Sequence, residues 1–376
     1  MVKIGVITFH NACNYGAVCQ AYSLLSTLKR IDDVEASIID YRCPKIEIAY
    51  SPTKFLKTKG SILRRFKNIV TGLLRFRATT KRNELFRETR EKLFCSDSVV
   101  TKSDLDVIEE KYDLFIAGSD QIWNLKISGN DMTYFLNFVE SSEKKFSYAV
   151  STGGEMFNDF EDEIKAYLNN FSIISTREKT TAEYIKKLVP NTKVEVNIDP
   201  VFLSGKKFWE DFAHGSTSSE GHILFFVMGY SNSIDRLIPL AKNIAGLYNS
   251  ELLFLSDYER WYKYRYMTHI GVASPESFVG YIQNAKYVIT NSFHATALCI
   301  ILHVSFYVDM QTARNERIKN LLSMFNLEKR GIDEVYQLQE ITDISSDQWE
   351  AIDVIIKSEQ ERSLSYFNTI ISQTNI

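Results

Sequence analysis

Cysteine is scarce in this 376-residue chain: Cys13, Cys19, Cys43, Cys95 and Cys299 are odd in number and never form a CxxC pair. That excludes a disulfide framework and a zinc-finger spacing, and it suits a reduced, cytoplasmic setting. With 16 glycines and 6 prolines the chain is neither collagen-like nor low-complexity. No run approaches the ~18–20 apolar residues of a membrane-spanning helix. The apolar run within residues 1–9 is too short and wrongly flanked for a signal peptide. Histidines and acids nowhere fall at metal-ligand spacing, and no GxGxxG marks a dinucleotide site, so neither metal nor cofactor is expected.

What the chain does have is apolar bulk. Hydrophobic residues make up 45% and charged residues 24%, with 24 Phe and 20 Tyr. At roughly 100–200 residues per domain, this length predicts two domains, each with a sizeable core. Short β-branched and aromatic runs alternate with segments of helical period, the pattern of parallel α/β architecture. Strands are expected at 3–9, 36–41, 112–117, 146–150, 171–175 and 193–197, then at 223–228, 251–255, 287–290 and 305–308. Helices are expected at 17–30, 178–188, 233–248, 275–284, 316–322 and 349–367. The Gly/Ser-rich run 214–221 reads as a surface connection. The expected division is therefore an N-terminal domain 1–213, a C-terminal domain 222–345, and a last segment 346–376 able to pack back on the first. The fold class is α/β, two Rossmann-like domains facing a cleft.

A net charge of −3 suggests no polyanionic partner, yet it averages two unlike parts. Residues 54–92 hold thirteen Lys/Arg and three acids, a local +10 that leaves −13 for the remainder. Within them Ile62, Leu63, Phe66, Ile69, Val70, Leu73 and Leu74 recur at spacings of three and four, among Arg64, Arg65, Lys67 and Arg75. Such a stripe most often packs on its own domain. The other reading is peripheral docking on an anionic membrane surface or a lipid-linked substrate. Nucleic acid is not expected, because no aromatics interleave with the basic residues as base-stacking platforms do.

Polar residues collect where the expected strands end, the edge at which open α/β sheets bind ligands. After the first strand come His10 and then Asn14-Tyr15-Gly16, with Asn14 as a helix N-cap and Gly16 allowing close approach to an anion. After the third come Gly118-Ser119-Asp120-Gln121. Arg177 follows the fifth, where its planar fork can grip a carboxylate or phosphate or pair with a neighbouring acid. Asn291-Ser292-Phe293-His294 follows the strand at 287–290, placing His294 in the first turn of an apolar helix, where an imidazole can exchange protons. Ser274-Pro275-Glu276 opens another helix, with Glu276 a candidate partner for sugar or ribose hydroxyls.

In order, Thr8…Asn14-Tyr15-Gly16-Ala17, Gly118-Ser119-Asp120-Gln121-Ile122-Trp123, Ser175-Thr176-Arg177-Glu178, Asp199-Pro200-Val201-Phe202-Leu203 and Asn291-Ser292-Phe293-His294-Ala295 resemble the motifs of the polysaccharide pyruvyl transferase family. The resemblance runs from about residue 3 to 330, with Arg317-Ile318-Lys319-Asn320-Leu321-Leu322 a weaker last match. It implies a GT-B-like fold and transfer of a pyruvyl group from phosphoenolpyruvate to a sugar of a bacterial surface polysaccharide or its lipid- or nucleotide-linked precursor. His294 would be the catalytic histidine and Arg177 a donor-binding arginine. Many members have an arginine two positions before that histidine, where this chain has Ser292; Arg314, Arg317 or Lys179 are the cations able to replace it. A GT-B glycosyltransferase using a nucleotide sugar, and a non-catalytic partner in glycan synthesis, are the alternatives.

Overall fold

The computed structural model describes residues 1–57, 61–94, 98–213, 220–229, 233–255, 267–310, 315–333 and 341–373. The polar run expected near 214–219, Cys95 and Arg314 lie outside the described residues. The chain divides into two compact units, Met1–Leu203 with Glu359–Ile376, and Ser204–Ser358.

The first unit carries strands β1 (Val2–Ile7), β2 (Val34–Ile38), β3 (Leu114–Ala117), β4 (Lys145–Ser147), β5 (Ile173–Thr176) and β6 (Lys193–Val196). They form a six-stranded sheet in the order β2-β1-β3-β4-β5-β6, and every pairing is parallel. Its helices are α1 (Tyr15–Leu28), α2 (Pro44–Tyr50), α3 (Ile62–Phe94), α4 (Leu105–Ile108), α5 (Leu125–Ser128), α6 (Glu161–Asn169) and α7 (Lys179–Leu188). A parallel sheet is covered by helices on both faces, so its strands run apolar without alternation; Leu114, Phe115, Ile116 and Ala117 are all fully buried. Much of the aromatic surplus sits beside this sheet. Trp123 stacks on Phe135 at 5.1 Å, meets Phe171 edge-on at 5.8 Å, and donates its indole N–H to the Tyr134 carbonyl at 2.9 Å.

The second unit holds α8 (Lys206–Phe212), β7 (His222–Phe226), α9 (Ser233–Leu247), β8 (Leu252–Leu255), β9 (Thr268–Ile270), α10 (Pro275–Gln283), β10 (Ala285–Thr290), α11 (Phe293–Leu302), β11 (Ser305–Asp309), α12 (Asn315–Met324) and β12 (Gly331–Ile332). Its parallel sheet has the order β12-β11-β10-β7-β8-β9, the doubly wound Rossmann order. Ten of the strands coincide with the expected ones. The edge strands β9 and β12, three and two residues long, are additions; such short pieces leave no periodicity to read.

The break between units falls at Leu203/Ser204 rather than after residue 213, because α8 packs with α10 and α11, with Trp209 fully buried. The last helix, α13 (Ser346–Ser372), begins in the second unit and ends in the first. There Gln360 donates to the Phe202 carbonyl at 2.7 Å, Tyr366 to the Ser147 carbonyl at 2.5 Å, and Tyr148 to Ser363 at 2.9 Å.

The expectation that the basic amphipathic stripe packs on its own domain fails for its first half. Helix α3 is 33 residues long, and only Phe86, Thr89 and Phe94 of it are buried. That second half is held by Phe86 against Tyr15 at 5.1 Å, by Arg82 donating to the Cys13 carbonyl at 3.0 Å, and by Arg90 donating to the Asn11 carbonyl at 3.3 Å. No described helix is long and apolar enough to cross a membrane.

Lys145 opens β4 as a buried residue, and burial pushes its ammonium down to about 8. From pH 8 upward the folded chain releases this proton, whereas the unfolded chain keeps it until about 10.4. The unfolded state thus binds more protons in that window, and stability rises with pH. Urea unfolding followed from pH 8 to 10 should show a rise attributable to Lys145 that is missing in Lys145→Met. An identical slope in both proteins would refute this account.

Candidate functional site

In a doubly wound sheet the ligand crevice opens at the carboxyl ends of the strands where the winding reverses. The first sheet reverses between β1 and β3, and the second between β7 and β10. Residues following β1, β3 and β10 are those singled out in the sequence.

At the first reversal a buried polar ladder crosses the sheet edge. Gln20 donates to the Thr8 hydroxyl at 2.9 Å, Thr8 to the Ser119 carbonyl at 3.1 Å, and Ser119 to the Ala149 carbonyl at 2.9 Å. The Ser175 hydroxyl then accepts from the Ala149 N–H at 3.0 Å and from the Asn197 amide at 2.9 Å. Gly118 packs closely here: a Cβ would lie 3.1 Å from Thr8 Cβ and 3.2 Å from Val6 Cγ1. Asp120 follows with φ +73°, a left-handed conformation that aspartate tolerates, and Ala149 beside it has φ +48°. Gln121 is half-buried, with its amide oxygen 3.5 Å from the Asn124 amide nitrogen.

Asn14 is the N-cap of α1, its side-chain oxygen accepting from the Ala17 N–H at 3.3 Å. Gly16 is buried in the first turn. Tyr15 faces α3, with Phe86 on its ring and the Arg82 guanidinium 5.6 Å from its centre. His10 is buried, with Nδ1 3.2 Å from the Thr8 carbonyl and Nε2 2.8 Å from Asp40, which also accepts from Arg42 at 2.7 Å. Burial alone would raise the Asp40 carboxyl, but the hydrogen bonds from His10 and Arg42 hold it far below the usual carboxylate range. Both ring nitrogens of His10 therefore meet protein atoms.

Arg177 is buried after β5. Its Nε donates to Glu178 at 2.8 Å and its Nη1 to Asp199 at 2.6 Å. Burial works against its charge, yet Glu178, Asp199 and Asp120 outweigh that and hold the guanidinium protonated. Three carboxylates about one cation leave a surrounding that is negative on balance, suited to orienting Arg177 and Asp120 more than to gripping a donor anion.

In the second unit, Asn291 ties the ends of β7 and β10 together. Its side chain accepts from the Met228 N–H at 2.8 Å and donates to the Met228 carbonyl at 3.1 Å. Ser292 caps α11, accepting from the Ala295 N–H at 3.4 Å, and its own N–H is bound by the Thr290 hydroxyl at 3.0 Å. His294 lies in the first turn of that helix, buried, its ring edge-on to Phe293 at 5.2 Å. Glu276 sits in the first turn of α10, which Ser274 caps through the Ser277 N–H at 3.1 Å.

Two further features mark this edge, of which the sequence reading named the first as a candidate cation and missed the second. The Arg317 guanidinium, on α12, lies 5.9 Å over the Phe293 ring, so a cation stands at the N-terminal turn of α11. Of the other two cations able to replace the expected arginine, Lys179 is exposed at the start of α7 in the first unit, and Arg314 lies outside the described residues. At the end of β11, fully buried Asp309 accepts from Arg236 at 2.5 Å and from the Ser233 hydroxyl at the start of α9. An acid closing the apolar run 305–308 was its only sequence signal. Among the described residues, no cluster of three or more His, Cys, Asp or Glu is arranged to hold a metal ion.

Two parallel Rossmann-like sheets in one chain, with polar clusters at the reversal edge of each, define a GT-B-like protein. The chain is similar to a putative UDP-N-acetylglucosamine 2-epimerase from Listeria monocytogenes, with TM-score 0.53 and 9% identity over 99% of this chain and 97% of that one. It is also similar to S. aureus MnaA in complex with UDP (TM-score 0.49, 10% identity, 95% and 88% covered). A third similar structure is the Neisseria meningitidis UDP-GlcNAc 2-epimerase bound to UDP-GlcNAc (TM-score 0.47, 10% identity, 100% and 94% covered). At these identities the likeness speaks to the fold alone, and the Listeria structure carries it. No curated protein gives a significant match. The family model for polysaccharide pyruvyl transferase matches residues 14–308, and the chain belongs to that family.

Removing one carboxylate from the Arg177 cage leaves a buried charge short of a partner, at a cost of about 3 kcal/mol. Asp199→Ala should therefore lower the unfolding free energy read from urea denaturation by about that much, whereas Asp159→Ala, at an exposed position of the same unit, should change it little. A midpoint unmoved by Asp199→Ala would show that the cage adds nothing to stability.

Proposed function

We propose that the chain transfers a pyruvyl group from phosphoenolpyruvate to two neighbouring hydroxyls of a sugar on a surface-polysaccharide precursor, lipid- or nucleotide-linked, in the cytoplasm and without a metal or other cofactor. The observation that carries this reading is the N-terminal turn of α11: buried His294, the Ser292 cap and the Arg317 guanidinium over Phe293. Membership of a transferase family across residues 14–308 supports it. A helix N-terminus beside a guanidinium suits a small polyanion such as a carboxylate-bearing enol phosphate.

The chemistry asks for one group that moves protons. His294 delivers a proton to C3 of the enol phosphate, C2 becomes electrophilic, and a sugar hydroxyl adds there while its proton passes to the imidazole. The C2–O bond to phosphate then breaks, the second hydroxyl closes on C2, and its proton leaves with inorganic phosphate. One phosphoenolpyruvate and one diol give one cyclic ketal and one phosphate. Arg317 would hold the donor's negative charge as it shifts to the leaving phosphate. Asn291 would keep the floor of the crevice rigid by its two bonds to Met228.

Incubation with phosphoenolpyruvate and a panel of sugar diols should release phosphate and add a pyruvyl mass to one acceptor. His294→Ala should cut turnover by about 10²–10⁴-fold, as loss of a general acid–base does, with an unchanged circular dichroism spectrum. Full activity in that variant would remove His294 from the reaction. A thermal shift with UDP-sugars and none with phosphoenolpyruvate would favour glycosyl transfer instead.

Arg317→Gln should raise KM for phosphoenolpyruvate by about tenfold, the effect of losing one charge-assisted bond, with a smaller change in kcat. A KM equal to that of the unaltered protein would place the donor elsewhere.

A further inference from the structure

We infer that the first half of α3 is an interfacial anchor that lays its apolar face into an anionic lipid surface. The inference stands on α3 alone and does not rest on the pyruvyl reading. Ile62 (88% exposed), Leu63 (80%), Phe66 (65%), Leu73 (62%) and Leu74 (81%) leave their side chains in solvent. Val70 and Phe76 extend the same exposed set. Spacings of three and four put Ile62, Phe66, Ile69 and Leu73 in one line along the helix, with Leu63, Val70 and Leu74 beside it. This makes a contiguous apolar face four turns long, more than isolated surface leucines amount to.

The helix is held in place without using that face. Its second half is fixed by Phe86, Arg82 and Arg90. Phe55 packs on a different side, against Gly72, where any Cβ would collide with its ring. Among the described residues the apolar line stays largely exposed, with Ile69 half-buried, while the helix is anchored at its far end.

Charge identifies what covers it. Between residues 54 and 83 there are ten Lys/Arg and no acid; the first acid is Glu84. Arg65 and Lys67 border the apolar line on opposite sides, where long basic side chains reach phosphate headgroups while their stems lie along acyl chains. A second copy of this chain would bring two such basic sets together with no acid between them, which like-charge repulsion opposes. An anionic bilayer supplies both the apolar interior and the opposite charge. The helix lies on such a surface and does not cross it, since no described helix is long and apolar enough to span.

The test uses the full chain with two vesicle types, phosphatidylcholine alone and phosphatidylcholine containing roughly one-third phosphatidylglycerol. Cosedimentation should occur with the anionic vesicles only and weaken as salt rises. In Arg64→Glu/Arg65→Glu/Lys67→Glu the affinity should fall roughly a hundredfold, from three surface charges. Phe66→Ser/Leu73→Ser/Leu74→Ser should lose at least about tenfold from the lost apolar burial. All these positions are exposed, so both variants should melt like the unaltered protein. Failure of the unaltered chain to bind anionic vesicles, or binding that persists in either variant, would overturn the inference. So would lipid-free self-association in sedimentation velocity that Phe66→Ser/Leu73→Ser/Leu74→Ser abolishes, which would make the occupant a second copy. Phosphate release from phosphoenolpyruvate in detergent-free buffer, measured separately, keeps failure of the anchor distinct from failure of the pyruvyl reading.

Discussion

Parallel pairing is the constraint from which the rest of this protein follows. Every strand pair in both sheets is parallel, so each strand must be followed by a crossover that returns the chain to the same starting edge. All strands of a sheet then finish along one edge, and the loops leaving them are the places where polar groups can converge. Both faces of each sheet are covered by helices, which demands the apolar strands and the aromatic packing around Trp123 and Phe135. The polar residues excluded from that core collect where the strands stop.

What they do there differs between the units. In the first, Gln20, Thr8, Ser119, Ser175 and Asn197 satisfy one another and neighbouring backbone groups across the edge. Arg177 is enclosed by Glu178 and Asp199, with Asp120 adding to its negative surroundings. The amide oxygens of Gln20 and Asn197 are buried outside these bonds, so the ladder engages most, not all, of its polar atoms. In the second unit, the end of β10 leads directly into the capped first turn of α11, where His294 and the Phe293–Arg317 contact meet. Negative balance in one cluster and a cation at a helix N-terminus in the other are why the proposed donor site lies in the second unit. The Ser292 position illustrates the same point: as a cap it completes the helix end, and the positive charge stands on α12 instead.

Helix α3 shows how one periodic pattern can serve two purposes. Of its 33 residues, those buried against the rest of the unit all lie from Arg82 onward, and the first half meets it through Gly72 against Phe55. Apolar spacing says that a face must be covered; it does not say by what. In the proposal of an anionic lipid surface, the ten Lys/Arg and no acid of residues 54–83 supply the missing specification.

The sequence determined the parallel α/β class, ten of the strands, the helix cap at Asn14, and the family, because these depend on local periodicity, on single polar residues next to strand ends, and on motifs in order. Tertiary structure alone decided which strands sit side by side, and so which loops flank the points of reversal. It also decided that α8 joins the second unit and that Arg177 lies among three carboxylates. Arg317 over Phe293 and Asp309 with Arg236 belong to the same group, since these partners are 24 and 73 residues apart in the chain. No local pattern encodes such pairs; packing of covered sheets brings them together.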